Sequence, residues 1–153
     1  MIRLADRPRA AVLAIALLAG CTGAAQAAPY VMFRDPGCGC CKEWAAHAHS
    51  GLGKEIVTRE DEPMGAVKAR LGVPGDLASC HTAVVEGYVI EGHVPAREIK
   101  RLLAERPDGV RGLAVAGMPM GSPGMEMGGH ADAYQVIVFG DGGRRVFASY
   151  PAK

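Results

Sequence analysis

The 153-residue sequence is poor in aromatic side chains (5%) and carries almost no charge imbalance, with a formal net charge of +1 at pH 7. The first shortage removes any ladder of rings on which nucleobases could stack. The second removes the electrostatic case for nucleic acid or for acidic partners. Long apolar runs are missing as well: Ala10 to Ala19 is too short and too poor in large side chains to span a bilayer. No phosphate loop, Ser/His/Asp arrangement or paired-carboxylate site can be read from the chain. Apolar residues at 49% and charged residues at 22% describe a globular protein. Its length fits one compact domain behind an N-terminal targeting segment.

What the sequence does have is sulfur. Its 5 Cys and 7 Met fall mostly in two short clusters, and 21 Gly with 10 Pro indicate long, well-defined loops. Arg3, Arg7 and Arg9 ahead of the apolar run predict an export signal over residues 1–27. Ala25-Gln26-Ala27 is an A-x-A cleavage site that would release a chain beginning near Ala28. Leu18-Ala19-Gly20-Cys21 resembles a lipobox, in which Cys21 would be lipidated and anchor the protein to the membrane. Either reading takes the protein out of the cytoplasm, and both remove Cys21 from the working cluster. Residues 28–153 are the expected mature domain.

Along that domain, Tyr30–Arg34 reads as a strand closed by Asp35-Pro36-Gly37, and Lys42–His49 as a helix with Trp44 in the core. A strand at Glu55–Arg59 and a helix carrying Met64, Val67 and Leu71 follow. A Pro/Gly loop then leads to a hairpin, Thr82–Val85 and Tyr88–Ile90, turned by Glu86-Gly87. Glu86 and Glu91 read as surface charges of that hairpin. A helix with Ile99, Leu102 and Leu103 on one stripe comes next, and a last hairpin pairs Tyr134–Phe139 with Arg144–Ala148. This order predicts an α/β fold: a single thioredoxin-like domain, its central mixed sheet flanked by helices and extended by a C-terminal hairpin.

Cys38 and Cys41 form a C-x-x-C motif between the first strand and the first helix. Thiols at a helix start lie beside unpaired N–H groups, which favour the thiolate. Thiolates are the nucleophiles of disulfide exchange and also soft ligands for Cu(I). A third sulfur, Cys40, shifts the reading, because a simple oxidoreductase needs two and a neighbour invites mispairing. Cys80 would be the fourth, since the loop before the third strand lies against the start of the first helix. Two structural disulfides are an alternative, although a bond within one helical turn staples little chain. Zinc sites usually draw two pairs of cysteines, and the spacing matches no common ferredoxin run.

Met118-Pro119-Met120 and Met125-Glu126-Met127, followed by His130, place thioethers at i and i+2, where an extended chain points both one way. These five side chains are candidate accessory ligands, although flexible Met also fills loops. His81 could order Cys80 or bind metal itself. His93 reads as a structural hydrogen-bonding residue, and His47 and His49 as surface residues.

The chain resembles the CopG family of bacterial copper-resistance proteins. The segments that carry the resemblance are Asp35-Pro36-Gly37-Cys38-Gly39-Cys40-Cys41, Ser79-Cys80-His81-Thr82-Ala83-Val84-Val85, Gly87 to Ala96, and the loop containing Gly117-Met118-Pro119 and Gly121 to Glu126. The resemblance implies a thioredoxin-like periplasmic domain in which Cys38, Cys40, Cys41 and Cys80 hold copper as a multinuclear thiolate-bridged Cu(I) cluster. It also implies a redox role interconverting Cu(I) and Cu(II). Copper ions are then the partners, with periplasmic copper-export or oxidase proteins beside them. A thiol–disulfide oxidoreductase and a passive Cu(I) chaperone are the competing functions.

Overall fold

The computed structural model describes residues 29–153, so the segment expected to be an export signal, and Cys21 within it, lie outside the described residues. Seven strands and three α-helices build a mixed α/β architecture on one sheet. In chain order they are β1 (Tyr30–Arg34), α1 (Gly39–Leu52), β2 (Ile56–Arg59), α2 (Met64–Leu71), β3 (His81–Val85), β4 (Tyr88–Glu91), α3 (Ala96–Glu105), β5 (Gly112–Ala114), β6 (Tyr134–Phe139) and β7 (Arg145–Tyr150). The sheet order is β2-β1-β3-β4-β5-β6-β7.

The pairings follow from the connections. A parallel neighbour needs a crossover, and α1 and α3 supply the two: β1 runs parallel to β2, and β4 parallel to β5. β3 pairs antiparallel with both β1 and β4. The anticipated hairpin turn is present, with Glu86 and Gly87 both at positive φ (48° and 87°), which matches the right-handed twist of the strands it joins.

β5 is absent from the sequence reading. Three residues are too few to show a period, and all three are buried. It begins at a glycine for a steric reason: a Cβ on Gly112 would lie 1.9 Å from the Val89 carbonyl oxygen. Through β5 the C-terminal hairpin becomes a continuation of the central sheet.

The core lies under α1 and α3. Cys41, Trp44 and Ala48 form the buried face of α1, and Ile99 and Leu102 that of α3. Trp44 is wholly buried, as expected, and its indole N–H donates to the Val94 carbonyl at 2.9 Å. Burying each of these large side chains contributes about 1.5–3 kcal/mol. On β3, Ala83 and Val85 face this core, whereas Thr82 meets Lys68 of α2 on the opposite face. α1 starts three residues before the expected Lys42, which places Cys40 and Cys41 inside its first turn.

Candidate metal centre

The antiparallel register of β1 and β3 sets Arg34 opposite His81. The chain leaving β1 therefore runs beside the chain entering β3, and Cys80 meets the cysteines that follow Gly37. Arg34 secures this corner. It is 6% exposed, its guanidinium donates to the carbonyls of Cys38 (3.1 Å) and Asp35 (3.4 Å), and it pairs with Glu60.

The four sulfurs close a ring. Cys38 and Cys41 are joined as a disulfide. Cys38 Sγ lies 3.6 Å from Cys40 Sγ, Cys40 Sγ 3.8 Å from Cys80 Sγ, and Cys80 Sγ 3.6 Å from Cys41 Sγ. All four lie within 4.8 Å of one another. The disulfide differs from the all-thiolate arrangement expected from sequence. Its physical reason is helical: Cys38 is the N-cap and Cys41 the third residue of α1, so their Cα atoms are 5.4 Å apart, within bridging range. Cys40 and Cys80 are free thiols, both half-buried.

Two imidazoles complete the surroundings of Cys80. His93 Nδ1 lies 2.8 Å from the Pro123 carbonyl, and a carbonyl only accepts. Nδ1 therefore carries the proton, and the Nε2 lone pair faces Cys80 Sγ at 3.1 Å. The hydrogen bond expected of His93 is present; its second nitrogen adds a donor atom that the sequence reading did not assign. His81 Nδ1 lies 3.4 Å from the same sulfur, between the rings of Trp44 and His93. Its Nε2 is buried and has no hydrogen-bond partner among the described residues.

Burial lowers the pKa of both histidines, that of His81 strongly, so both rings are neutral and able to ligate. Burial, reinforced by Cys40, pushes the Cys80 thiol up to about 11. The metal-free thiol is protonated at neutral pH and is placed to donate to His93.

Glu91 is a correction. Expected on the hairpin surface, it is wholly buried, because β4 is a central strand with neighbours on both sides and α2 beneath. Its carboxylate accepts from the Ser79 backbone N–H (2.6 Å), the Thr82 hydroxyl (2.6 Å) and the Lys68 ammonium (2.5 Å). The residue preceding Cys80 is thus fixed by a buried charge.

The Met-bearing loop arches over the site. It is tied at one end by Gly117 N–H to the Ala78 carbonyl (3.1 Å) and by the Ser79 hydroxyl to the Gly117 carbonyl. At the other end Gly124 lies flat on α1 at a φ of 84°, where a Cβ would approach the Cys40 carbonyl oxygen and the Trp44 nitrogen to 2.7 Å. Met118 and Met127 are exposed, while Met120 and Met125 are half-buried. His130 is exposed and pairs with Asp132 at 3.1 Å, apart from the cysteine ring. Among the described residues, the metal-capable groups of His, Cys, Asp and Glu are the four cysteines and the trio Cys80, His81 and His93. Of the remaining histidines, His49 is exposed, whereas His47 is half-buried and accepts from the Ala96 N–H at the start of α3.

Two solved structures share this architecture. One, described as copper resistance protein CopG form 1, is 45% identical, with a TM-score of 0.75 over 82% of this chain and 99% of its own. The chain belongs to the CopG family. A second CopG structure, form 2, is also 45% identical, with a TM-score of 0.75 over 80% of this chain and 98% of its own. The family described as "Protein of unknown function, DUF411" matches residues 77–125, which include Cys80, His81, His93 and the arch. No curated protein matches this CopG-family chain.

Proposed function

We propose that this CopG-family protein acts in copper resistance in the periplasm, holding Cu(I) on the reduced thiolates of Cys38, Cys40, Cys41 and Cys80. The observation that carries the reading is the convergence of four sulfurs within 4.8 Å from two separate parts of the chain. Thiolates are soft donors that select Cu(I). A metal–sulfur bond of about 2.3 Å lets one ion bridge sulfurs at the observed 3.6–3.8 Å spacings, so several ions can share the ring. The names of the two CopG structures support copper over other soft metals.

Each surrounding group has a part. His93 offers a neutral nitrogen to an ion on Cys80. The arch carries exposed thioethers, at Met118 and Met127, as a first contact for incoming copper, with Met120, Met125 and His130 as further accessory donors. The basic, Ala-rich N-terminus supports export, and Cys21 is the anchor if the lipobox is used. Among the described residues no helix is long and apolar enough to cross a membrane.

Anaerobic Cu(I) titration tests the reading. The reduced protein should bind several ions, and Cys80→Ser should lower the stoichiometry. Unchanged stoichiometry in that variant sinks the four-ligand site.

The Cys38–Cys41 disulfide favours a second reading, a thiol–disulfide oxidoreductase. It requires the metal-free protein to reduce a small disulfide and a single-cysteine variant to trap mixed disulfides.

A further inference from the structure

We propose that a groove beside the arch docks an extended, acidic segment of a protein partner, resting on the copper reading above only for what that partner carries. The net charge of +1 offers no case for an acidic partner, but the fold gathers cations locally. Two hollows of about 470 Å³ and about 390 Å³ adjoin between α3, the arch and the end of β7, sharing Arg97, Gly121, Tyr134, Tyr150 and Lys153. Lys100 lines the first of them. Every charged side chain that lines either hollow is therefore a cation.

Arg97 is held in place for a carboxylate. Its Nε donates to Glu98 Oε1 (2.8 Å) and to the Tyr150 hydroxyl (2.8 Å), and its guanidinium lies 4.8 Å from the centre of the Tyr150 ring. That ring stacks on Tyr134, with centroids 4.5 Å apart and planes within 6°. The two terminal nitrogens of Arg97 have no hydrogen-bond partner among the described residues, and the side chain is 71% exposed. A guanidinium fixed through Nε and open at its terminal nitrogens presents two parallel N–H donors, the geometry a carboxylate accepts.

The other walls add charge. Lys100 stands one turn further along α3, on the same face as Arg97. Lys153 is fixed at the foot of the arch, where its backbone N–H and carbonyl both pair with Ala131 (2.9 and 3.0 Å). Two carboxylates stand behind the walls without lining them, and both are engaged. Glu98 is 3% exposed and shared among Arg97, Arg101 and Tyr150, while Glu126 accepts from the Gly124 N–H (2.7 Å). Neither Lys100 nor Lys153 makes an ion pair among the described residues.

Shape selects the occupant. Gly51 belongs to one hollow and Pro151 to the other, so the pair in series is longer than a single small anion fills. The cations line a concavity, which suits a chain segment better than the flat array of a lipid surface. A segment seated there rests against Gly121 and Pro123 of the arch. Gly121 follows Met120 and donates to the Met125 carbonyl (2.9 Å), and the Pro123 carbonyl is the one that takes the His93 N–H. The groove thus holds a partner beside the thioether loop, where copper would be handed over. The docking itself needs no metal.

The test is a titration of isotope-labelled, metal-free protein with a capped octapeptide of alternating Glu and Ala, followed by amide NMR shifts at low salt. The shifts should saturate and map to the start of α3, to Gly121–Pro123 and to Tyr150–Lys153. Raising the salt should weaken binding. Arg97→Gln should weaken it by about tenfold or more, the usual loss of a hydrogen bond to a charged group. Arg97→Lys should recover only part, because the charge returns without the fork. Lys100→Gln, whose side chain makes no hydrogen bond among the described residues, should cost about two- to fivefold.

Any of four results overturns the groove: equal binding of the matching Gln-Ala peptide, shifts that map elsewhere, sodium acetate binding as tightly as the peptide, or phosphatidylglycerol vesicles binding this face while the peptide does not. Cu(I) titration of the reduced protein separates the two readings. A protein that docks the peptide but binds no Cu(I) keeps the groove and loses the copper reading, and the converse result loses the groove alone.

Discussion

His93 Nε2 lies 3.1 Å from Cys80 Sγ, and its lone pair points there because the other ring nitrogen donates to Pro123. One backbone carbonyl of the arch therefore decides which histidine nitrogen is offered to the sulfur. Replacing the ring removes both a donor and the group that orients Cys80. His93→Gln should weaken Cu(I) binding by about 10–100-fold, the usual cost of losing a partner that orients a metal ligand. Competition against a Cu(I) chelator measures it, and unchanged affinity would remove His93 from the site.

The carboxylate of Glu91 gives a separable effect. Glu91→Gln keeps the oxygen that Ser79 uses, turns the one that accepts from Thr82 into an N–H donor, and leaves the Lys68 ammonium, which is 15% exposed, without its counter-charge. Breaking a buried pair in this way costs about 3–5 kcal/mol, reduced here by the partial exposure of the lysine. Urea unfolding should show the loss. Glu91→Gln with Lys68→Met should recover part of it, because both charges are then gone.

Acid should destabilise the metal-free protein through its histidines. Burial lowers the folded pKa of His81 and of His93 below the ordinary 6.5. Between the folded value and 6.5 the unfolded chain binds the extra proton, so stability is full above 6.5 and falls as the pH drops below it. The slope from His81 approaches about 1.4 kcal/mol per pH unit. Thermal unfolding between pH 7 and pH 4 measures this, and His81→Leu should flatten the acid limb.

Gly124 tests the arch. Alanine there would meet two backbone atoms at 2.7 Å and hold an unfavourable φ of 84°. Gly124→Ala should lift the loop from α1, destabilise the protein by about 1–3 kcal/mol, and speed proteolytic cleavage within residues 117–130. Retained protection of the loop would contradict its role as a cover.

The sequence reading succeeded where a local pattern and a structural cause coincide. The C-x-x-C spacing, the Glu86-Gly87 turn and the apolar stripe of α3 are local, and each is present. The approach of Cys80 was also legible, because element order alone places the entry to β3 beside the start of α1. Other features depend on what packs around them. Glu91 was misplaced because nothing in Tyr88–Glu91 reveals that both faces of its strand are covered. Arg34 gave no signal, since its partners are carbonyls and a glutamate 26 residues away. β5 was too short to carry a period. The disulfide was set aside on chain entropy, whereas helix-start geometry is what brings Cys38 and Cys41 together.

The register that sets Arg34 opposite His81 also dictates an order of events. Cys80 stands 40 residues beyond Cys40 and reaches it only after β3 has docked on β1. A chain whose strands are still unpaired can present no more than the three clustered sulfurs. The complete set is therefore a property of the finished sheet, and full loading becomes a report that folding has already happened.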